Sequence, residues 1–275
     1  MFLFLFNSIE TYSQLFRPKD SYNPFQTDIQ KRGPLVRYEY EYKSDNEKTL
    51  DSTLISQISY DSGLKKIEEV YYENGVINRR ITFTYKINLL VKLIEEKYTP
   101  FLLNILHEIN YDSSGNPNLE KSQSTRTSNN IRYKYKYNNN QLESIHQSDN
   151  NGDFYLAKEF EYKDGKLRKS QTYSQLGKEQ AYFLYEWESE NQRENTFEVK
   201  GDNKKCISKD FYEDGLLKTH TNIVRGSVID HTNQTIIVEE YFITETYKYD
   251  KFHFLQQIEI SKNDKVVGLR KFFYE

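Results

Sequence analysis

A short unit of tyrosine, turn and aliphatic residue recurs along this 275-residue chain at a nearly constant interval. Two copies follow each other directly, as Tyr60-Asp61-Ser62-Gly63-Leu64 and then Tyr72-Glu73-Asn74-Gly75-Val76. Glycine adopts the positive φ angles of tight turns at little cost, and runs of alternating apolar and polar residues lie between the turns. The unit therefore predicts antiparallel strands joined by tight turns.

The tyrosines that precede the turns define the interval. They are separated by multiples of roughly twelve and a half residues, a repeat that predicts tandem antiparallel hairpins: Tyr60, Tyr72, Tyr85, Tyr111, Tyr137, Tyr162, Tyr212 and Tyr249. Where a multiple is skipped, a turn signal takes the expected place, at Thr99-Pro100, Asn151-Gly152, Leu176-Gly177, Glu190-Asn191, Gly201-Asp202 and Arg225-Gly226. No long segment carries a helical period against this background, and residues 104–111, which fit either period, are interpreted as a strand.

The number of repeats predicts how the sheet is shaped. Residues 35–275 are predicted to form a single antiparallel β-repeat domain, and their length divided by the interval gives on the order of 18–20 strands. Sheets of more than about 10 strands normally curl, split or close, and closure removes the exposed strand edges. The predicted fold class is therefore all-β, a long antiparallel meander curled into a large barrel or hollow shell. An open, twisted single-layer sheet is the alternative.

The first 34 residues depart from this pattern. Residues 15–34 contain Pro18, Pro24 and Pro34, and because proline lacks a backbone donor they predict an extended lead-in. Residues 1–14 combine a short apolar start with the small Thr11 and Ser13, which indicates either the remnant of a secretory signal peptide or an ordinary N-terminal strand. A signal peptide predicts a secreted, periplasmic or cell-envelope protein, and its absence a cytoplasmic one.

Four of the repeated units resemble the tyrosine-aspartate repeats of RHS-type proteins. They span residues 60–64, 111–115, 162–167 and 212–216. Tyr72-Glu73-Asn74-Gly75 resembles equally the MORN-type repeats of a bacterial antitoxin-like family, whereas Tyr137-Asn138-Asn139-Asn140 lacks the glycine of both. The chain is also similar to secreted bacterial proteins of unknown function with a porin-like fold. These resemblances imply an architecture and bring no catalytic positions with them.

The aromatic composition points to a binding surface. The chain has 24 Tyr and 17 Phe, and two of its strands carry tyrosine at every second position, which places the tyrosines of each strand on one face. Exposed tyrosines give broad contact surfaces at a low cost in conformational entropy. The predicted ligand-binding residues of this Tyr-rich concave face are Tyr38, Tyr40, Tyr42, Tyr133, Tyr135 and Tyr137, with a protein, peptide or glycan as the expected partner.

Charge and patterning argue against two other classes of partner. A net charge of -3 gives no electrostatic reason to expect nucleic acid, and in residues 132–137 the tyrosines face away from Arg132, Lys134 and Lys136. Aromatic stacking and phosphate contacts would have to come from the same face. Residues 119–128 offer no row of apolar side chains at every second position, so membrane insertion is not expected.

The sequence predicts no catalytic residue, no metal site and no cofactor. The five histidines lack partners at metal-binding spacing, and Asp149, Asn151 and Asp153 are interpreted as a polar turn rather than a calcium loop. Cys206 is interpreted as a half-buried thiol, with a pKa lowered by neighbouring lysines as the alternative. Rows of carboxylates favour cross-strand ion pairs over glycoside hydrolysis; they are Glu39 with Glu41, Glu159 with Glu161, and Glu186 with Glu188 and Glu190.

The predicted function is that of a non-enzymatic β-repeat protein, secreted or of the cell envelope, that presents its tyrosines to a ligand or partner. An interaction protein of the antitoxin or immunity kind is one alternative. A hydrolase with strand-borne carboxylates, Glu159 and Glu186 among them, is the other.

Overall fold

The computed structural model describes residues 36–43, 51–63, 65–98, 102–126, 130–150, 152–188, 192–230, 235–251 and 253–275. The predicted signal-peptide remnant and lead-in lie outside these residues. Eighteen strands make up the described structure, and they are, in chain order, β1 (Val36–Lys43), β2 (Asp51–Tyr60), β3 (Lys66–Glu73), β4 (Val76–Lys86), β5 (Leu89–Lys97), β6 (Leu103–Tyr111), β7 (Pro117–Ser124), β8 (Asn130–Asn138), β9 (Gln141–Asp149), β10 (Tyr155–Lys163), β11 (Lys166–Tyr173), β12 (Glu179–Glu188), β13 (Arg193–Lys200), β14 (Asn203–Glu213), β15 (Leu216–Asp230), β16 (Thr235–Tyr249), β17 (Leu255–Lys262) and β18 (Lys265–Tyr274).

A helix of the length and apolarity that a membrane crossing demands is not found in the described part of the chain.

All eighteen strands belong to one antiparallel sheet in which each strand pairs with its neighbours in sequence. The sheet closes because β1 pairs with β2 on one side and with β18 on the other. The prediction of an all-β meander curled into a barrel is therefore confirmed, and the open-sheet alternative is wrong. The interpretation of residues 104–111 as a strand is also confirmed, by β6.

The turns of the barrel are of two main kinds. Six hairpins reverse in two residues that both have positive φ, at residues 74–75, 87–88, 139–140, 164–165, 214–215 and 263–264. This turn matches the twist of the flanking strands and favours Asn, Asp and Gly. The tyrosine-aspartate units that begin at Tyr60 and Tyr111 make longer loops; in the second, Asp112 Oδ1 accepts hydrogen bonds at 2.9 Å from the backbone N–H groups of Ser114 and Asn116.

A β-bulge beside the turn recurs from hairpin to hairpin. Between β8 and β9, Tyr137 pairs with Leu142 while Lys136 pairs with Ser144, so one residue of β9 is left without a partner on β8. The same displacement accompanies Tyr85 and Tyr162. A bulge bends its strand and increases the local right-handed twist. Repetition of the bulge therefore supplies curvature that a sheet of this width needs in order to close.

The turn predicted at Arg225-Gly226 is wrong. β15 runs through these residues and pairs with β16 from Thr219 to Asp230. A cross-strand ion pair holds the two strands here, with 2.8 Å between Arg225 Nε and Glu240 Oε2, and glycine is tolerated inside a strand although it weakens it. The described ladder with β14 ends at Asn222, so this hairpin extends beyond its neighbour in the wall.

Alternating burial shows which side chains point into the barrel. On β4, Ile81 and Phe83 are buried whereas Thr82 and Thr84 are exposed, and β6 repeats this alternation. In a closed sheet the inner face is the one shielded from solvent, so the buried set marks the inward direction. The cross-strand registers carry this assignment around the whole barrel, because paired residues point to the same side of a sheet.

The hydrophobic core is a lining of the wall in two clusters. One consists of Ile81, Phe83 and Leu93, against which Tyr71, Tyr85 and Leu90 pack. The other consists of Tyr135, Leu142 and Ile145, with Tyr133, Tyr137 and Phe160 packed against it. Each cluster draws on three consecutive strands, β3–β5 and β8–β10. The apolar side chains thus pack along the wall, between neighbouring strands.

Candidate functional site

The six tyrosines predicted to bind ligand lie on opposite faces of the wall. Those of β1 face outward, because across the ladder with β18 they meet the half-exposed Phe273 and its outward neighbours. Tyr40 meets the Phe273 ring edge-on, with 5.6 Å between the ring centroids. The Lys271 ammonium lies 4.9 Å from the centroid of the Tyr42 ring. Tyr38, Tyr40 and Tyr42 therefore form a stripe on the outside of the barrel.

The tyrosines of β8 face inward. Tyr135 is buried, with 8% of its surface exposed, and Tyr133 and Tyr137 are half-buried beside it. Burial, followed by the nearby charge of Glu120, raises the pKa of Tyr133 and of Tyr135. Both hydroxyls therefore remain protonated and able to donate hydrogen bonds. The six tyrosines predicted to form one surface therefore lie on two surfaces, and the barrel encloses the inner one.

A buried polar cluster centred on Glu120 lies on the inward face of β6, β7 and β8. Glu120 is 1% exposed, accepts a 2.6 Å hydrogen bond from the Tyr135 hydroxyl, and lies 2.9 Å from His107 Nδ1. His107 is itself only 5% exposed. Buried polar groups of this kind are tolerated when each one finds its partner. The cluster fixes the orientation of Tyr135 on the inner wall.

Inward carboxylates recur on other strands of the barrel. Glu69 is 6% exposed and accepts a hydrogen bond from the Tyr71 hydroxyl at 2.8 Å. Glu95 is 5% exposed and lies 2.6 Å from Arg79 Nε, close enough for an ion pair although the N–H group is not aligned as a hydrogen bond. Glu39 also faces inward, with its side chain 14% exposed and its Oε1 atom 3.8 Å from the Arg270 guanidinium. The inner wall therefore combines tyrosine rings with carboxylates that neighbouring side chains already engage.

An aromatic ring encircles the inner face near one rim. Each even-numbered strand ends there with an inward aromatic residue, and each of these is half-buried. The nine members are Tyr60, Tyr85, Tyr111, Tyr137, Tyr162, Trp187, Tyr212, Tyr249 and Tyr274. Most neighbours in the ring are separated in sequence by two of the intervals of roughly twelve and a half residues that recur along the chain. We refer to these nine residues as the aromatic ring.

Hydroxyl groups of the aromatic ring tie neighbouring hairpins together. Tyr249 donates to the Leu217 carbonyl at 2.9 Å, and Tyr274 donates to the Leu255 carbonyl at 2.8 Å. Tyr111 makes the equivalent bond to Leu90, and burial, with a smaller effect of Glu120, raises its pKa to about 12. In each case the acceptor belongs to the return strand of the preceding hairpin. These hydrogen bonds hold the flat faces of the three tyrosine side chains at a defined angle to the wall.

The rows of carboxylates considered for hydrolysis do not converge. Glu159 and Glu161 face outward, where Glu159 accepts a hydrogen bond from Tyr173 and Glu161 pairs with Lys169 at 3.2 Å. Glu186 lies 2.5 Å from Lys204, and Glu190 lies outside the described residues. These contacts are the cross-strand partners that the sequence favoured over a catalytic pair.

The remaining candidate residues have ordinary surroundings. Burial raises the pKa of the Cys206 thiol, so the alternative of a lowered pKa is wrong; Lys209 acts in the opposite direction but less strongly. Within the ranges that the structure describes, no three His, Cys, Asp or Glu side chains gather as metal ligands. Gly152 N–H donates to the Asp149 carbonyl at 2.8 Å, the closure of a turn, while Asn151 lies outside the described residues.

Sequence reasoning missed the Glu120 cluster and the completeness of the aromatic ring. His107, Glu120 and Tyr135 are far apart in sequence, and only the ladder between β6, β7 and β8 brings them together. The ring was partly visible in the tyrosine interval. Trp187 and Tyr274 were not recognised as members because the interval was counted from tyrosines that precede a turn signal.

Comparisons with known proteins give distant structural likenesses. No protein-family model matches the sequence, and no curated protein matches it either. A porin-like protein from Bacteroides uniformis aligns with 92% of this chain and 99% of its own, at 11% identity and a TM-score of 0.39. A porin-like protein from Bacteroides vulgatus aligns with 86% of this chain and 97% of its own, at 12% identity and a TM-score of 0.32.

The TcdB2-TccC3 structure aligns with 84% of this chain at 11% identity and a TM-score of 0.27, and this chain spans 14% of its length. Likenesses this distant carry no inference about what the protein does. The resemblance to tyrosine-aspartate and MORN-type repeats stays a prediction from the sequence.

Proposed function

We propose that this protein is a non-enzymatic barrel, secreted or of the cell envelope, whose inward aromatic lining binds a glycan or peptide ligand. The observation that carries the proposal is the aromatic ring, in which every second strand contributes one half-buried aromatic side chain to the same level of the inner face. Tyrosine side chains held by hydrogen bonds offer rigid, amphipathic contact surfaces that lose little conformational entropy on binding.

The outer face of β4, β6 and β8 supports a barrel wall that is exposed to water. The outward side chains Thr82, Thr84, Glu108, Lys134 and Lys136 are all exposed. A lipid-facing wall needs apolar residues at these alternating positions. The absence of convergence among Glu159, Glu161 and Glu186 supports a binding role rather than hydrolysis.

Binding is tested with inner and outer tyrosines as matched pairs. The wild-type protein is screened against glycan and peptide libraries, and each ligand found is titrated calorimetrically. We expect Tyr137→Leu combined with Tyr212→Leu to weaken binding about tenfold or more, because leucine removes the flat ring and keeps apolar bulk. The outward pair Tyr40→Leu and Tyr42→Leu should leave the affinity unchanged.

Circular dichroism and urea unfolding establish that both double variants retain the barrel. Equal losses of affinity in the inner and outer variants would contradict the proposal, as would a screen in which the folded wild-type protein binds neither class of ligand. Fractionation of the native cells tests the location. Recovery in the cytosol alone would contradict the secreted or envelope assignment and favour an interaction protein of the antitoxin kind.

A further inference from the structure

The aromatic ring changes character at β12, where tryptophan replaces tyrosine. Trp187 is the single tryptophan of the chain, and it follows the inward Tyr185 on the same strand. A cavity of about 570 Å³ opens beside it, within the range of ligand-binding pockets. The cavity is formed by β10, the turn to β11, β11 itself and β12; its lining is Lys163, Asp164, Lys166, Leu167, Arg168, Leu184, Tyr185, Glu186 and Trp187.

Cations dominate the charged part of this lining. Lys163, Lys166 and Arg168 stand against two carboxylates, those of Asp164 and Glu186. The charge of Glu186 is offset from outside the cavity, because Lys204 Nζ lies 2.5 Å from its Oε1. A positive field therefore remains at the mouth of the barrel, where a ligand passing the aromatic ring would meet it.

Trp187 holds one of these cations in place. The Lys166 ammonium lies 3.5 Å from the centroid of the Trp187 ring, a cation–π contact that fixes an otherwise flexible side chain. Tyr212 supports the indole from the next ring position, with 5.5 Å between the ring centroids. A positioned cation pairs with an anion at a lower entropic cost than a free lysine does.

The apolar part of the lining offers a second kind of contact. Leu167 and the edge of Trp187 form an apolar surface beside the cations, whereas Leu184 borders the cavity from the outward face of β12. A pyranose ring presents C–H groups on its faces, and a sugar acid adds a carboxylate at its edge. This apolar surface and the positioned cations together match these two features of one small ligand.

We infer that this cavity binds an acidic saccharide, with its carboxylate on Lys166, Lys163 and Arg168 and its ring against Leu167 and Trp187. The inference rests on the proposed function, since it names the class of ligand that one sector of the aromatic ring takes. A charge-assisted contact between carboxylate and cation is the strongest single interaction available there.

Calorimetric titration with two oligosaccharides of equal length tests the inference. The acidic probe is tetragalacturonate, and the neutral probe is the corresponding galactose tetrasaccharide. We expect the wild-type protein to bind the acidic probe at least about tenfold more tightly, and the preference to shrink as salt is raised. Lys163→Gln combined with Lys166→Gln should weaken binding of the acidic probe about tenfold and flatten its salt dependence.

A matched control removes the same charge from the outer wall. Lys134→Gln combined with Lys136→Gln neutralises two exposed lysines of β8 and should leave the affinity for the acidic probe unchanged. Trp187→Phe keeps an aromatic face under Lys166 and should retain more affinity than Trp187→Leu. Urea unfolding of every variant excludes loss of the fold as the cause.

Three results would overturn the inference. They are equal affinity for the acidic and neutral probes, equal loss in the cavity lysine variant and the β8 lysine variant, and equally tight binding of tetraglutamate, which would make the cavity a general carboxylate site. Absence of binding to tetragalacturonate, alongside binding of another glycan or a peptide that depends on Tyr137 and Tyr212, would refute the acidic saccharide and leave the proposed function standing.

Discussion

Two arcs of the barrel wall follow the same hairpin repeat and differ in how they bury their inner side chains. In the packed arc, β2–β11, the inward positions are buried; they hold aliphatic and aromatic residues, among them Ile58, Ile81, Phe83, Leu93 and Ile109, together with partnered polar residues such as Glu69, Glu95 and Glu120. In the open arc, β12–β16, Val199 alone is buried among the side chains described there, and it faces outward; the inward positions include the half-buried Glu194, Glu198 and Asp210.

Under the proposed function, this difference assigns stability to one arc and ligand recognition to the other. Burial of apolar side chains is the main favourable contribution to folding, so the packed arc carries most of it. The open arc keeps its polar and aromatic inner groups accessible, and the cavity beside Trp187 borders it. The same repeat thus gives two kinds of wall, and the identity of the inward residues decides which kind each arc forms.

The largest expected contrast between the arcs comes from a phenylalanine on each. Phe83→Ala empties a site that is 7% exposed within the cluster of Ile81 and Leu93, and should lower the free energy of unfolding by about 3–5 kcal/mol. Phe183→Ala removes a half-buried inward ring in the open arc and should cost less than half as much. Urea unfolding measures both, and equal losses would remove the distinction between the arcs.

A smaller contrast is expected from two glutamates that each accept a 2.6 Å hydrogen bond from a tyrosine. Glu120 receives it from Tyr135 in the packed arc, and Glu245 from Tyr247 in the open arc. Glu120→Gln should lower the free energy of unfolding by about 2–3 kcal/mol, because it disturbs a fully buried group that also contacts His107. Glu245→Gln should cost about 1 kcal/mol. A reversed order in chemical denaturation would show that burial does not control the cost.

The smallest expected effect is a pH dependence of the free energy of unfolding that arises from His220 in the open arc. The Asp210 carboxylate, 2.6 Å from His220 Nδ1, raises the pKa of His220 through this hydrogen bond against the opposing effect of burial, and the charge of Glu245 acts in the same direction as Asp210. A pKa that is raised on folding stabilises the protein below the unfolded value, about 6.5, and this contribution is lost as pH rises through the folded value.

Asp210→Asn should therefore destabilise the protein more at pH 5.5 than at pH 8.5, by at most about 1 kcal/mol. The difference in urea midpoint between wild type and variant is measured at each of the two pH values. Comparing these two differences cancels the contribution of the other histidines, which titrate equally in both proteins. An equal difference at both pH values would show that the His220–Asp210 pair does not couple folding to protonation.

The hairpin repeat could be predicted from the chain because its signals are local. Asn74-Gly75 and Asp164-Gly165 adopt the positive φ pairs of tight turns, and Tyr133, Tyr135 and Tyr137 share a face because side chains alternate along a strand. The prediction of a turn at Arg225-Gly226 was wrong because it too relied on a local signal alone. A glycine signals a turn locally, whereas the long pairing of β15 with β16 overrides it.

The inner site could be predicted only in part. Alternation shows that the tyrosines of β1 share a face and that those of β8 share a face, but it gives no sign of whether the two faces are the same. That assignment depends on the register of every ladder between the two strands, including a bulge at Ile55 of β2, opposite Tyr40. A single bulge shifts the pairing by one residue, and register determines which side of a sheet a residue occupies.

The sequence by itself determined the all-β class, the interval between reversals and the approximate number of strands, because turn chemistry and the two-residue period act within a few residues. The tertiary structure alone decided that β18 returns to β1, which face of each strand is enclosed, and that His107, Glu120 and Tyr135 meet. Those outcomes arise from pairings between residues far apart in the chain, whose energies depend on the closed wall as a whole.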